Sequence, residues 1–164
     1  MDRNQDESAV GRNVSLFAEG LRHAGPIRSV VELGCNIGLN LSALHVLLPE
    51  AAICGLEINS RAAELAKKRI PSAVIRTGSL LEAGELINFD LVVVKGVLIH
   101  IAPDALPRAY ETIHSASKNW IFLCEYFNPT PVEVPYRGHA DRLFKRVLRE
   151  ISWHGPVVLG ASVT

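Results

Sequence analysis

The sequence predicts a doubly wound α/β domain, a Rossmann-like and mainly parallel sheet with helices on both faces. Three observations carry this: short apolar runs rich in Val and Ile recur along the chain, segments of helical periodicity separate them, and the intervals are too long for hairpins. Length agrees, since 164 residues suit a single domain over 1–164. Folding at this size buries roughly 68–70% of the unfolded chain's surface without help from disulfides or a metal. At 48% apolar and 21% charged residues, disorder is excluded as the main state. The 17 basic side chains only balance the 17 acidic ones, which argues against a nucleic-acid partner.

The polar, acidic start from Met1 to Ser8 has no basic flank and apolar run of a secretory signal. The longest apolar stretches, such as Leu91 to Val94 and Gly96 to Ile99, fall far short of the ~20 residues that span a bilayer. A soluble, cytoplasmic protein without a membrane partner is therefore expected. Cys35, Cys54 and Cys124 form an odd set without Cys-x-x-Cys spacing, each in or beside an apolar segment. They read as reduced, buried small hydrophobes, and no metal site is expected.

Taken in order, Asn13 to Ala24 carries Val14, Phe17, Ala18 and Leu21 at helical spacing, stopped by Gly25-Pro26. Residues before 12 are expected to be flexible. Ser29 to Leu33 is a β-branched strand, followed by a glycine-bearing turn and a buried helix from Leu39 to Leu48 that Pro49 closes. Ala52 to Leu56 makes the second strand, and Asn59-Ser60 offers capping oxygens to a helix from Arg61 to Arg69. Ala73 to Arg76 is a third strand, Ser79 to Ile87 a loop with one or two helical turns, and Asp90 to Val94 a fourth strand with the apolar character of burial on both faces. Asp104 is placed to cap the next helix, with Pro107 in its first turn and Leu106, Ala109, Tyr110, Ile113 and Ala116 as its apolar stripe. Trp120 to Cys124 is the fifth strand. Pro129, Pro131 and Pro135 then stiffen a loop, a basic helix is expected from about Asp141 to Ile151, and Val157 to Val163 remains for a sixth strand.

Ligands of doubly wound sheets bind at the carboxyl ends of the strands near the point where strand order reverses, which the first strand borders. The turn there reads Glu32-Leu33-Gly34-Cys35-Asn36-Ile37-Gly38. Gly34 lets backbone approach a ligand, and Gly38 lets the following helix pack closely. A dinucleotide fingerprint wants a third glycine where Asn36 stands, to make room for a pyrophosphate. Glu32 would repel a diphosphate but suits an ammonium or sulfonium group. Glu57 closes the second strand 23 residues past Gly34, placed to accept hydrogen bonds from ribose hydroxyls. The alternative is that both are ordinary strand-end acids facing water.

Glu-x-Gly-x-x-x-Gly followed by a strand-two acid resembles the class I S-adenosylmethionine-dependent methyltransferases, as do Asn88 to Val94 and Trp120 to Glu125 as fourth and fifth strands. More narrowly, Lys95-Gly96-Val97-Leu98-Ile99-His100-Ile101 and the stretch Glu125 to His139 are similar to a methyltransferase family associated with pseudaminic acid biosynthesis. The resemblance implies S-adenosylmethionine as cofactor and a cofactor-binding core over 12–125. Glu32, Gly34, Cys35 and Gly38 match the turn at the methionine end, Glu57 the ribose acid, and Ile58 an adenine-packing position. Ser79 and Leu80 stand where the adenine edge is read, with Ser79 in place of the common Asp; the other reading is a loop opening a helix. Lys95 and Gly96 match the end of strand four beside the methionyl group.

Methyl transfer is an in-line displacement that depends chiefly on holding two centres aligned, with a base required only if the acceptor must lose a proton. His100 is the candidate base, because imidazole titrates near neutral pH; its other reading is to cap or pack under the following helix. Glu125, Tyr126, Tyr136, Arg137 and His139 are candidates to bind a small polar acceptor, with a nonulosonic acid, its precursor or a nucleotide-linked sugar as the expected class. Arg137 either clamps an anionic group or pairs with Glu133 or Asp141. Residues 126–164 would form the acceptor side. Relatives of this class finish with a further helix and an antiparallel strand pair, so the acceptor wall is expected to be abbreviated, supplied by a partner subunit in a homodimer, or altered at the end of the gene. Two other functions remain open: an NAD(P)-dependent oxidoreductase, and a non-catalytic cofactor-binding protein.

Overall fold

The structure, a computed structural model, describes residues 3–126, 132–133, 144–145 and 157–163, with side chains over 7–125. Six strands form one sheet: β1 (Ser29–Leu33), β2 (Ala52–Glu57), β3 (Val74–Thr77), β4 (Phe89–Lys95), β5 (Ser117–Tyr126) and, last in the chain, β8 (Val157–Val163). Their order is β3-β2-β1-β4-β5-β8 and every pairing is parallel, so strand order reverses between β1 and β4. Two short strands, β6 (Val132–Glu133) and β7 (Phe144–Lys145), pair antiparallel in a sheet of their own.

The strands are short and apolar because both faces of the sheet are covered. On one face Val30, Ile53, Ile75, Leu91, Val93 and Phe122 pack under α1 (Arg3–Leu21), α2 (Leu39–Leu47) and α3 (Ser60–Arg69), through Phe17, Leu41, Leu44, Ala63 and Ala66. On the other, Val31, Leu33, Leu56, Val92, Val94 and Ile121 meet Leu106, Ala109, Ile113 and Ala116 of α4 (Leu106–Ala116). The alternation along β1 and β4 is the period-two pleat filling two cores at once. Phe17 and Phe122 meet edge to face with centroids 5.1 Å apart, locking α1 onto β5.

The amino edge of the sheet is closed by Asp90. Its carboxylate accepts from the Arg28 amide at 2.8 Å and from Asn119 Nδ2 at 3.1 Å, while its own amide donates to Ser29 Oγ at 2.9 Å. The carboxyl edge, by contrast, is where the chain turns away into loops.

Several boundaries move. The first helix begins at Arg3 rather than Asn13, taking in residues expected to be flexible. Ala105, not Asp104, precedes α4, and no side chain caps it; Pro103–Ala105 forms a 3-10 turn that delivers Pro107 into the first helical turn. Phe144–Lys145 is a strand, which corrects the basic helix expected from Asp141 to Ile151. The rest of that stretch lies outside the described residues. The final strand falls where expected, at Val157–Val163. No helix among the described residues is long and apolar enough to cross a membrane.

Candidate functional site

The reversal between β1 and β4 brings four chain segments to one edge: the turn after β1, the end of β2, the loop after β4 and the end of β5. Gly34 adopts φ +87°, and a Cβ there would collide with Val97, so only glycine lets the post-β4 loop lie against this turn. The Gly34 and Cys35 amides both donate to the Leu56 carbonyl, at 2.8 and 2.9 Å. This ties the turn to β2. Asn36 takes a left-handed φ of +48°, which Asn tolerates better than most residues. At Gly38 the group that would crowd a Cβ is Ala66 of α3, together with Ile70, so this glycine accommodates a neighbouring helix as well as the start of its own.

Glu32 is fully buried. Its Oε1 accepts from Asn40 Nδ2 at 2.6 Å, and its Oε2 has no partner among the described residues. Burial pushes its carboxyl up to about 8, assisted by the nearby Glu57 charge and opposed by the Asn40 hydrogen bond and the Lys95 charge. A buried carboxylate oxygen left without a donor is costly, and an ammonium or N–H supplied by a ligand would satisfy it.

Glu57 holds the chain on both sides of itself. Its Oε2 accepts from the Asn36 amide and its Oε1 from the Asn59 amide, each at 2.8 Å. Each oxygen keeps lone-pair capacity for a further donor. The Asn59 side chain caps α3 through the amides of Arg61 and Ala62, and the next residue on the β2 side, Ile58, is 72% exposed, an unusual placement for a large aliphatic side chain.

Other expected site residues are placed less directly. The Cys35 side chain points inward, packed so that Gly55 opposite has no room for a Cβ, and burial pushes its thiol well above the ordinary value. Cys35 thus reaches the crevice through backbone alone. Ser79 accepts from the Leu81 amide at 3.1 Å and opens a 3-10 turn over Leu80–Glu82, which is the helix-opening alternative. Leu80 is buried in the core on the α4 side. Lys95 ends β4 within electrostatic reach of Glu32 and Cys124.

Past β4 the chain reverses at Gly96, φ +67°, whose amide donates to the Cys124 carbonyl at 2.9 Å. His100 ends the 3-10 turn Leu98–His100 with an exposed side chain. Glu125 has a different neighbourhood from the acceptor-facing one expected: it is 4% exposed, and its Oε1 accepts from the amides of Val97 at 2.8 Å and Leu98 at 3.0 Å. Burial raises its pKa against the lowering effect of the Leu98, Val97 and Ile99 amides and the nearby His100 charge. Tyr126 closes β5, its side chain outside the described residues, as are Tyr136, Arg137 and His139 altogether.

Sequence reasoning missed Asn40, Asn59 and Val97 as members of this site. Asn40 was detectable in principle: an amide side chain in the first turn of the helix after β1 sits above the strand's last acid. Val97 carried no signal, since nothing in an aliphatic residue announces contact with a glycine 63 positions earlier. Among the described residues no group of three or more His, Cys, Asp or Glu is arranged to hold a metal ion.

Fold and site together define a Rossmann-like domain whose first turn is lined by acids instead of cradling a diphosphate. A family model described as a methyltransferase domain matches residues 31–119, more than half of the chain, and the chain belongs to that family. No curated protein matches it. Among solved structures, it is similar to CalS10, an amino pentose methyltransferase from Micromonospora echinaspora, with a TM-score of 0.66 and 15% identity over 78% of this chain and 55% of that one. An O-methyltransferase from a trans-AT PKS multienzyme of Brevibacillus brevis gives a TM-score of 0.67 and 18% identity over 89% of this chain and 50% of that one. The sugar N-methyltransferase KedS8 from Streptoalloteichus sp. ATCC 53650 gives 0.58 and 15% over 77% and 55%. The chain thus spans about half the length of these structures, and the likeness is one of fold.

Proposed function

We propose that this chain is an S-adenosylmethionine-dependent methyltransferase acting on a small polar acceptor. The observation that carries the reading is Glu32: a fully buried carboxylate at the end of β1, one oxygen held by Asn40 and the other without a partner among the described residues. That site asks for a cationic N–H donor and disfavours a diphosphate, which turns the reading away from a nicotinamide cofactor. Glu57 offers spare acceptor capacity to vicinal hydroxyls, and the exposed face of Ile58 offers an apolar platform for a purine. The backbone at Gly34, Cys35 and Gly38, and at Lys95 and Gly96, would flank the methionine end, with Ser79 beside the purine edge.

When bound, the sulfonium cofactor supplies an activated methyl group. This chain's part is then to bind, orient and exclude water. His100, exposed after β4, is the residue proposed to take a proton from the acceptor. CalS10 and KedS8, by their descriptions, methylate sugars, which fits a polar acceptor here. We extend the proposal to a nonulosonic acid of the pseudaminic type, its precursor or a nucleotide-linked form, on the resemblance of Lys95–Ile101 and of the stretch from Glu125 to His139. Arg137 would meet the acid group, with Tyr126, Tyr136 and His139 around it. The test is incubation with methyl-labelled cofactor and a panel of such sugars. Label transfer that His100→Gln reduces at neutral pH is expected; cofactor binding without transfer to any of them would point to a non-catalytic cofactor-binding protein.

A further inference from the structure

The loop after β4 leaves the sheet with three successive amides to satisfy, and all three are satisfied from the end of β5. Gly96 donates to the Cys124 carbonyl, while Val97 and Leu98 donate to one carboxylate oxygen of Glu125. The backbone there is left-handed at Gly96 (φ +67°) and right-handed at Val97 (φ −109°, ψ −44°). That alternation turns the successive Val97 and Leu98 N–H groups toward one point, an anion-binding concavity that the internal Glu125 carboxylate fills here, while the Gly96 amide turns to Cys124. The side chain of the residue so held, Val97, lies against Gly34, where a Cβ would collide with it.

We propose that Glu125 is a positioning residue: by taking the amides of Val97 and Leu98 it presses Val97 onto the Gly34 turn, and so sets both the wall of the cofactor crevice and the place of His100. Nothing in this role requires Glu125 to touch a ligand. Its consequence for cofactor affinity rests on the function proposed above; its consequence for the loop does not.

The role makes an ordering of variants that a charge-based role would reverse. Gln in place of Glu125 keeps an oxygen at the same reach, able to accept both amides, but loses the charge. Asp keeps the charge but withdraws it by one methylene. Measured on the full chain, amide hydrogen exchange at Val97 and Leu98 should stay within about twofold of the wild-type rate in Glu125→Gln. It should accelerate ~10-fold or more in Glu125→Asp and Glu125→Ala, the scale set by losing a hydrogen bond to an ionisable group. S-adenosylhomocysteine affinity by calorimetry should follow the same order, and formate should partly restore Glu125→Ala by occupying the emptied concavity. Unchanged exchange in Asp and Ala, or Gln behaving like Ala while Asp behaves like wild type, would overturn the proposal. If the wild type bound no S-adenosylhomocysteine, the function proposed above would fall, while the exchange rates would still decide the part played by Glu125.

Discussion

Two glutamates close two strands on opposite sides of the β1/β4 reversal, and the difference between them separates the halves of the molecule. Glu57, at the end of β2, takes one amide on each oxygen, from Asn36 before it in space and Asn59 after it in sequence. Glu125, at the end of β5, takes two amides on a single oxygen and leaves its Oε2 buried without a partner among the described residues. The β2 acid therefore bridges two turns and still presents acceptor capacity to a ligand, whereas the β5 acid is turned wholly inward on one loop. Similar residues at similar positions can thus leave acceptor capacity toward the proposed ligand on one side and act as a structural plug on the other. What decides between them is how many backbone donors the adjacent loop leaves unsatisfied.

The largest test of this contrast is Glu57→Ala. It removes the acceptor for two amides and for a ribose at once, so S-adenosylhomocysteine should bind on the order of 100-fold more weakly by calorimetry. An unchanged affinity would mean that Glu57 serves only the turns.

Next comes the point where the halves touch. Gly34→Ala would force a side chain into a φ of +87° and into Val97, and should lower stability by about 2–3 kcal/mol in chemical unfolding. A loss below about 0.5 kcal/mol would show that the post-β4 loop yields easily, and that the halves are not pressed together.

A third test uses protons. The Glu32 carboxyl is raised from the ordinary 4.5 to about 8 by burial, so near neutral pH the free protein holds it mostly neutral. The stability from its raised pKa is fully present below 4.5 and is lost as pH rises through about 8. The unliganded protein should therefore weaken from about pH 4.5 to about pH 8 and level off above that, and Glu32→Gln should flatten that slope. A ligand ammonium favours the ionised form, so S-adenosylhomocysteine should bind more tightly as pH approaches 8 and release a proton on binding. Calorimetry in buffers of different ionisation enthalpy reads this directly. At pH 8 the Gln variant should bind roughly tenfold more weakly; equal affinity at every pH would detach Glu32 from the ligand.

The smallest expected effect is Asn59→Ala. The side-chain cap of α3 is lost, worth about 1 kcal/mol of stability. The Asn59 amide still reaches Glu57, so affinity should change less than twofold.

Much of the strand and helix order was legible in the sequence because two-sided burial leaves a coarse signature. The valines of β4 and the alternating intervals needed no tertiary information. The capping of α3 by Asn59 was legible too, being a local hydrogen bond. Legibility failed where a feature depended on a distant partner or on competition between local options. The extension of α1 to Arg3 lacks a strong apolar stripe over its first residues. Asp104 had a capping side chain in the right neighbourhood, but the 3-10 turn at Pro103–Ala105 moved the helix start past it. Phe144 and Lys145 sit amid helical periodicity yet pair with Val132 and Glu133. In the site, the acids were visible as strand-end residues, while their donors were not, since a backbone amide has no letter in the sequence. Hence Glu57 and Glu125 looked alike, and only the fold tells them apart.

The three buried thiols have a use beyond filling space. Cys35 and Cys54 lie under the turns of the Glu57 half and Cys124 beneath the end of β5, all as free thiols. Burial raises the pKa of each, so alkylating reagents meet almost no thiolate until the surrounding structure opens. The native chain therefore carries its own clocks, one pair in one half and a single one in the other, and labelling rates followed site by site would time the opening of each half separately.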